Sequence, residues 1–125
     1  MDTLKKTVLL VEDEPIVNRV FEKILNRAGY DVVTARSSEE ALMFCRQSEG
    51  PIHFGITDLS ISTTSGPVLA KKITDIFPDI KVLFTTGYSD LELEKKKIVI
   101  SSENCLYIPF KAETLLNKLT EVSYH

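Results

Sequence analysis

Short apolar runs rich in β-branched residues alternate along this chain with longer segments of helical periodicity. Runs that are apolar at consecutive positions are typical of parallel strands covered on both faces. Parallel strands are joined by right-handed crossovers, usually helical. The pattern therefore predicts one doubly wound α/β domain with helices on both faces of a parallel sheet. The predicted strands are Thr7–Val11, Asp31–Thr34, His53–Thr57, Lys81–Thr85 and Cys105–Ile108.

The segments between these runs predict about five helices. Over Pro15–Ala28 the apolar residues recur every three or four positions, with a proline suited to the first turn and Gly29 beyond the last. Ser37 and Glu40 have the spacing of a capping box at the start of a second helix. The pattern leaves open whether Ile98–Ile100 is helical or extended. Three further helices are predicted over Gly66–Phe77, Leu91–Lys97 and Lys111–Val122.

The composition and charge exclude several functional classes. The 125 residues are 43% hydrophobic with a formal net charge of -3, which suits one globular domain over 1–125 with a core from about 6 to 122. An acidic balance, with a pI near 5.4, is unlike that of a nucleic-acid-binding domain. No apolar run approaches the ~20 residues of a membrane span, and the N-terminus has no secretory signal pattern.

The cysteines and histidines suggest no metal or redox chemistry. Cys45 and Cys105 lie far apart and match no metal-knuckle or disulfide pattern, so we expect two small buried hydrophobic residues. His53 and His125 have no neighbouring residues that indicate a catalytic or metal role. The expected setting is a reducing cytoplasm, without a nucleic-acid or membrane partner.

Carboxylates follow two of the predicted strands at the point where each ends. The first strand runs into Glu12, Asp13 and Glu14, and the third ends beside Asp58. If the strand order is the flavodoxin-like 2-1-3-4-5, these two strands are neighbours about 4.8 Å apart, and the side chains of Asp13 and Asp58 can approach each other. Two carboxylates about 4 Å apart cost on the order of 4 kcal/mol at an effective dielectric of about 20, so a cation or a shared proton must relieve the repulsion. An oxygen-only cluster suits Mg²⁺, with Mn²⁺ as an alternative.

The fourth strand brings a hydroxyl group to the same edge of the sheet. It ends in Thr85-Thr86-Gly87, where the glycine leaves the backbone uncrowded. A carboxylate nucleophile beside a divalent cation, with a hydroxyl donor nearby, is equipped for phosphoryl transfer. The spacing therefore suggests phosphoryl chemistry at this edge.

Four separated segments resemble the response-regulator receiver domains of bacterial two-component signalling. Val8–Pro15 is similar to the family's strand and acidic pair, and Ile56–Leu59 to its phosphoacceptor strand. Gly66 lies eight residues after Asp58, as in the family, and Val82–Tyr88 is similar to the switch strand. The resemblance covers almost the whole chain.

The resemblance implies a signalling domain that assists its own phosphorylation and dephosphorylation. Asp58 would accept a phosphoryl group from a histidine kinase or phosphotransfer domain, and the modified domain would act on a downstream protein partner. Thr86 would bond the phosphoryl oxygens, and the small Gly87 would leave access to the site. The implied Mg²⁺ ligands are Glu12, Asp13, Asp58 and the backbone carbonyl of Ser60.

The chain also departs from the family pattern. The family has Lys-Pro-Phe after its fifth strand, where the lysine pairs with the phosphoryl group, but this chain has Ile108-Pro109-Phe110. We expect Ile108 to be an ordinary core residue that cannot supply the missing charge. Cys105 occupies the position of the family's switch aromatic, and Tyr107 lies two residues further on the same face of the strand. The loop over 61–65 is more polar than is usual.

Two alternative functions remain open from the sequence. A degenerate pseudo-receiver would keep the fold as an interaction surface that does not depend on phosphorylation, as the loss of the lysine at position 108 suggests. A flavodoxin-like electron carrier would bind FMN in the same fold. The acidic run Glu12-Asp13-Glu14 after the first strand would repel the phosphate of that cofactor. The chain could be a stand-alone regulator or a piece of a larger protein such as a hybrid kinase.

Overall fold

Five parallel strands form the centre of the molecule. The computed structural model describes residues 5–59, 65–98, 100 and 102–123. The strands are β1 (Thr7–Val11), β2 (Asp31–Ala35), β3 (Phe54–Asp58), β4 (Lys81–Thr86) and β5 (Cys105–Tyr107). Their order in the sheet is β2-β1-β3-β4-β5, and every neighbouring pair is parallel. The predicted doubly wound, flavodoxin-like topology is therefore confirmed, and strands one and three are neighbours.

In the described residues, four α-helices connect the strands and a fifth follows β5, and most begin and end close to the predicted bounds. The helices are α1 (Pro15–Arg27), α2 (Ser38–Gln47), α3 (Gly66–Ile76), α4 (Asp90–Lys95) and α5 (Ala112–Ser123). A single 3₁₀ turn, Ser102–Asn104, precedes β5. Within the described ranges, no helix is long and apolar enough to cross a lipid bilayer.

The side chains of β1 alternate between two hydrophobic cores, one on each face of the sheet. Val8 and Leu10 pack with residues of α1 and α5 such as Phe21 and Leu115. The alternate side chains of β1 pack on the other face with α2 and α3. Because β1 is covered on both faces, its end is held rigidly at the edge of the sheet.

The start of α2 differs from the predicted capping box. The Ser37 hydroxyl accepts a hydrogen bond from the Glu40 N–H at 3.1 Å, as expected. The Glu40 carboxylate accepts from the N–H of Arg36 at 3.1 Å, so the bond between the Glu40 side chain and the Ser37 N–H is replaced. A complete capping box occurs instead at α4, between Ser89 and Glu92.

The segment after α4 is neither a helix nor a strand. The helix ends at Lys95, two residues earlier than predicted, and Lys97 has a left-handed backbone with φ of 57°. Such a conformation ends a helix because the chain can no longer continue its hydrogen bonds. Ile98 and Ile100 belong to no regular element, and Val99 lies outside the described residues.

Candidate functional site

Glu12 and Asp58 lie next to each other at the carboxyl ends of β1 and β3. The register pairs Val11 with Thr57, so the residue that follows on each strand is an acid. Parallel strands end at the same edge of the sheet, and this edge is where doubly wound folds bind their ligands. The sequence predicts that carboxylates of these two strands meet here, with Asp13 and Asp58 as the approaching pair, whereas the register makes Glu12 the neighbour of Asp58 and Asp13 is exposed.

The Glu12 side chain is almost fully buried, with 6% of its surface exposed. Its backbone N–H donates to the carbonyl of Ala35 at 2.9 Å. One carboxylate oxygen, Oε2, accepts from the N–H of Glu14 at 3.0 Å. The amide nitrogen of buried Asn18, on α1, donates to the Glu12 carbonyl at 3.2 Å. The turn between β1 and α1 is thus fixed by three hydrogen bonds around Glu12.

Burial raises the pKa of Glu12 from 4.5 to about 7. The hydrogen bond from the Glu14 N–H opposes this rise, whereas the charges of Asp58 and Asp13 and a side-chain hydrogen bond with Asp13 add to it. A carboxyl group with such a pKa holds a proton much of the time at neutral pH. Without a cation, a proton on Glu12 relieves part of the repulsion that the sequence predicts.

Asp58 is half-buried at the last position of β3, and its backbone is closely packed. The Thr57 hydroxyl donates to the Asp58 carbonyl at 3.3 Å, and the N–H of Leu59 donates to the carbonyl oxygen of Thr85 at 2.9 Å. A Cβ atom on Gly66 would lie 3.1 Å from the Asp58 carbonyl carbon and would overlap its oxygen. The glycine eight residues after Asp58 is therefore required by the close approach of α3 to β3.

Thr86 presents a buried hydroxyl at the end of β4. Its Oγ1 accepts a hydrogen bond from the Tyr88 N–H at 2.9 Å. A threonine hydroxyl that accepts in this way still has its own hydrogen to donate. A Cβ atom built on Gly87 would have no atom within 4 Å, so the backbone after Thr86 lies in open space. Both features fit the predicted roles of these residues.

The carboxylate oxygens around Glu12 are suited to a hard divalent cation, but the side chains are not already arranged around a metal position. Among the described residues, no group of three or more His, Cys, Asp or Glu side chains is arranged to hold a metal ion. Asp13 is exposed, and Ser60, whose carbonyl was the remaining predicted ligand, lies outside the described residues, as do 61–64. Mg²⁺ keeps several waters and is commonly bound through one or two carboxylates, so Glu12 and Asp58 suit it.

Ile108 is not the core residue that the sequence suggested. It is 36% exposed and lies just beyond β5, which ends at Tyr107. Its backbone N–H donates to the carbonyl of Thr86 at 2.8 Å, which places position 108 beside the end of β4. This carbonyl contact connects the position of the missing lysine with the predicted switch residue.

Cys105, at the position of the family's switch aromatic, and Tyr107, two residues further along β5, differ in burial. Cys105 is fully buried, as expected of a small hydrophobic residue, and burial raises the pKa of its thiol. Tyr107 is 39% exposed and its hydroxyl donates to the carboxylate of Asp90, at the start of α4. This hydrogen bond raises the pKa of Tyr107 to about 12. Tyr107 pairs with Thr86 in the sheet, so it joins the end of β4 to α4.

Sequence inspection missed Asn18 as a residue that supports the site. Its signal was present, because Asn18 lies on the face of α1 that also carries buried Phe21 and Leu25. A polar residue in a buried helical stripe usually has a specific hydrogen-bond partner. Here that partner is the carbonyl of Glu12.

The chain matches one protein family and several of its members along nearly its whole length. The family model for the response regulator receiver domain matches residues 8–120. The response regulator receiver protein CpdR of Brucella abortus is 30% identical over 94% of this chain and 96% of its own length. The sensor kinase CckA of the same organism is 30% identical over 93% of this chain, which spans only 12% of that kinase.

A solved structure has the same fold at a similar level of identity. It is a response regulator protein from Burkholderia pseudomallei with a phosphorylated aspartic acid, a calcium ion and citrate. The two chains are 27% identical, with a TM-score of 0.76 over 96% of this chain and 70% of the other. The family match, the relatives and the strand-end acids agree, and this chain is a member of the response regulator receiver domain family.

Proposed function

We propose that this chain accepts a phosphoryl group on Asp58, with Mg²⁺ as the counter-ion and Mn²⁺ as a possible substitute. The observation that carries the proposal is the pairing of Glu12 and Asp58 at the ends of neighbouring strands. One carboxylate is buried with a pKa of about 7 and the other is half-buried. Such a pair gains from a cation that neutralises both groups.

The residues of the chain have separate tasks in this reaction. A carboxylate oxygen of Asp58 attacks the phosphorus of the donor, a P–O bond forms, and the bond from phosphorus to the leaving imidazole breaks. A bound Mg²⁺ would supply positive charge to the phosphoryl oxygens. The Thr86 hydroxyl donates a hydrogen bond to the transferred group, and Gly87 leaves room for the donor. Asn18 holds the turn that directs Glu12 toward Asp58.

The proposed phosphodonor is a histidine kinase or a phosphotransfer domain in the cytoplasm. Two apolar residues on α1 are exposed close to the acids: Ile16, at 72%, and Val20, at 47%. Exposed apolar residues beside a reactive group are suited to contact with a protein rather than with a small molecule alone. The output would pass to a downstream protein partner.

Three similar proteins support the proposal. The Burkholderia pseudomallei protein carries a phosphorylated aspartic acid and a calcium ion, which is also a hard cation bound by oxygen ligands. CckA is a sensor kinase in which the similar segment is a small part, whereas CpdR is matched almost end to end. Both a stand-alone regulator and a part of a hybrid kinase are consistent with these matches.

Intact-mass measurement tests the proposal. The protein is incubated with Mg²⁺ and acetyl phosphate, and we expect one phosphoryl adduct that is lost when EDTA replaces Mg²⁺. Asp58→Asn should abolish the adduct, whereas Asp79→Asn, at the opposite edge of the sheet, should leave it unchanged. An adduct that persists in Asp58→Asn would show that another residue is modified.

A second candidate function follows from Ile108. A pseudo-receiver that acts without phosphorylation is favoured by an exposed isoleucine at the position of the family lysine. It predicts no adduct with acetyl phosphate in the wild type. It also predicts that Asp58→Asn leaves binding to the downstream partner unchanged.

A further inference from the structure

A cavity of about 360 Å³ lies at the edge of the sheet opposite the acids. It is formed where β3 and β4 begin and by the segment that follows α3. Its apolar lining includes Ile52, Phe54 and Ile80, which are all more than nine-tenths buried. Cavities that bind small molecules are concave, mostly apolar and within about 300–1,000 Å³.

The charged residues around this cavity include more cations than anions. Lys6, His53, Asp79 and Lys81 line it together with the apolar residues. In the part of the chain that the structure describes, neither lysine has an ion-pair partner. Two lysines and one aspartate give the lining residues an excess of positive formal charge beside the apolar ones.

The His53 ring is held in one orientation by its neighbour on β1. The N–H of Thr7 donates to His53 Nδ1 at 2.9 Å, and the N–H of His53 donates to the Thr7 carbonyl at 2.9 Å. Because Nδ1 accepts a hydrogen bond, the proton of the neutral ring is on Nε2. Burial and the charge of Lys6 lower the pKa of His53, so the ring is neutral at pH 7.

We propose that this cavity binds a small organic monocarboxylate with an apolar body. The apolar residues Ile52, Phe54 and Ile80 would take the body of the ligand, and Lys6 and Lys81 would bind the carboxylate. A carboxylate gains charge-assisted hydrogen bonds from lysine, and an apolar body gains from leaving water. Neither an apolar body nor a carboxylate alone would contact both the apolar residues and the lysines of the lining.

This site is separate from the proposed phosphorylation site. His53 precedes β3 and Asp58 ends it, so the two lie about 17 Å apart along an extended strand. None of the residues that line the cavity belongs to the acidic edge. The proposal does not depend on phosphorylation of Asp58, and the two can fail independently.

NMR titration tests the cavity with three probes: 4-phenylbutanoate, its neutral amide, and acetate. We expect ¹H–¹⁵N shifts at 52–54, 76–77 and 79–81 with 4-phenylbutanoate, and at least roughly tenfold weaker binding of each of the other probes, because each lacks one half of the interaction. Lys6→Gln combined with Lys81→Gln should weaken 4-phenylbutanoate binding by roughly tenfold or more. Lys23→Gln, an exposed lysine on α1, should leave binding unchanged.

Three outcomes would overturn the proposal. Equal binding of the amide would show that charge plays no part, and shifts outside this region would place the ligand elsewhere. The absence of any saturable shift with 4-phenylbutanoate would show that the cavity does not bind this class of ligand. The same titration of Asp58→Asn should match the wild type, which separates this site from the phosphorylation site.

Discussion

Glu12 is a residue whose ionisation affects the stability of the metal-free protein. Folding raises its pKa from 4.5 to about 7, so the folded state binds this proton more tightly than the unfolded state does. The metal-free protein therefore loses stability as the pH rises from about 4.5 to about 7, and the loss persists above pH 7. Glu12→Gln keeps the shape of the side chain but removes the charge.

We expect Glu12→Gln to stabilise the protein in EDTA on the order of 2 kcal/mol at pH 8 and to have little effect at pH 4.5. Urea unfolding at the two pH values measures the difference. The matched control is Glu121→Gln, an exposed residue near the end of α5, which should have a small effect at both. A stabilisation by Glu12→Gln that is equal at both pH values would contradict the pKa assigned to Glu12.

For single residues, the sequence predicts where a side chain lies in the fold better than it predicts the burial and the hydrogen-bond partners of that side chain. Glu12 and Asp58 could be placed at one edge because parallel strands end together. The burial of Glu12 could not be predicted, since it depends on Ala35 and Asn18 from other elements. The bond from Thr7 to His53 spans 46 residues and leaves no local pattern in the sequence.

The contact between α3 and β3 makes Gly66 the most restricted glycine of the described chain. A methyl group there would overlap the carbonyl oxygen of Asp58, and backbone atoms cannot move aside easily. We expect Gly66→Ala to destabilise the protein by about 1–3 kcal/mol and to slow phosphorylation by acetyl phosphate, because Asp58 would be displaced. Gly50→Ala is the control, since a Cβ there meets no atom within 4 Å. Equal effects of the two variants on stability and rate would argue against this contact.

We expect the residue at the end of β5 to determine how strongly a phosphoryl group acts on the sheet. Ile108 cannot donate to phosphoryl oxygens, and a charged hydrogen bond is typically worth about 1.5–3 kcal/mol. We expect Ile108→Lys to enlarge the NMR shifts of β4 and β5 caused by beryllofluoride, a phosphoryl mimic. Val68→Lys, a partly exposed position on α3, should leave those shifts unchanged.

If beryllofluoride already causes large NMR shifts of β4 and β5 in the wild type, and Ile108→Lys does not increase them, another hydrogen-bond donor has replaced the lysine. Tyr107 would then be the residue to examine, because it pairs with Thr86 and its hydroxyl bonds Asp90 on α4.

The elements themselves were largely predictable from the sequence. Their type follows from periodicity, and the bounds of β1 were predicted without error. The prediction was less accurate for α4, because Leu91–Lys97 has helical composition throughout and the left-handed turn at Lys97 has no glycine to mark it. The predicted end of β5 was one residue too late, and the expected burial of Ile108 was wrong.

For the molecule as a whole, a bound cation should raise thermal stability. A ligand present at ten times its dissociation constant stabilises the folded state by about 1.4 kcal/mol, which is roughly 5 °C in Tm for a domain of this size. We expect Mg²⁺ to give such a rise and NaCl of equal ionic strength to give less. In Asp58→Asn the increment caused by Mg²⁺ should fall, whatever the Tm of the variant itself. Equal increments with both salts would indicate screening rather than a metal site.

The parallel arrangement gives the molecule an electrical polarity along the strand direction. All five strands point one way and the helices run back, so α1 begins directly after Glu14 and α3 begins against the Asp58 carbonyl. The amino ends of helices carry about half a positive charge each. This backbone field opposes the repulsion among the carboxylates and would act on a phosphoryl group as well. Part of the counter-charge that a lysine at position 108 would supply thus comes from the fold, and no single side-chain substitution can remove it.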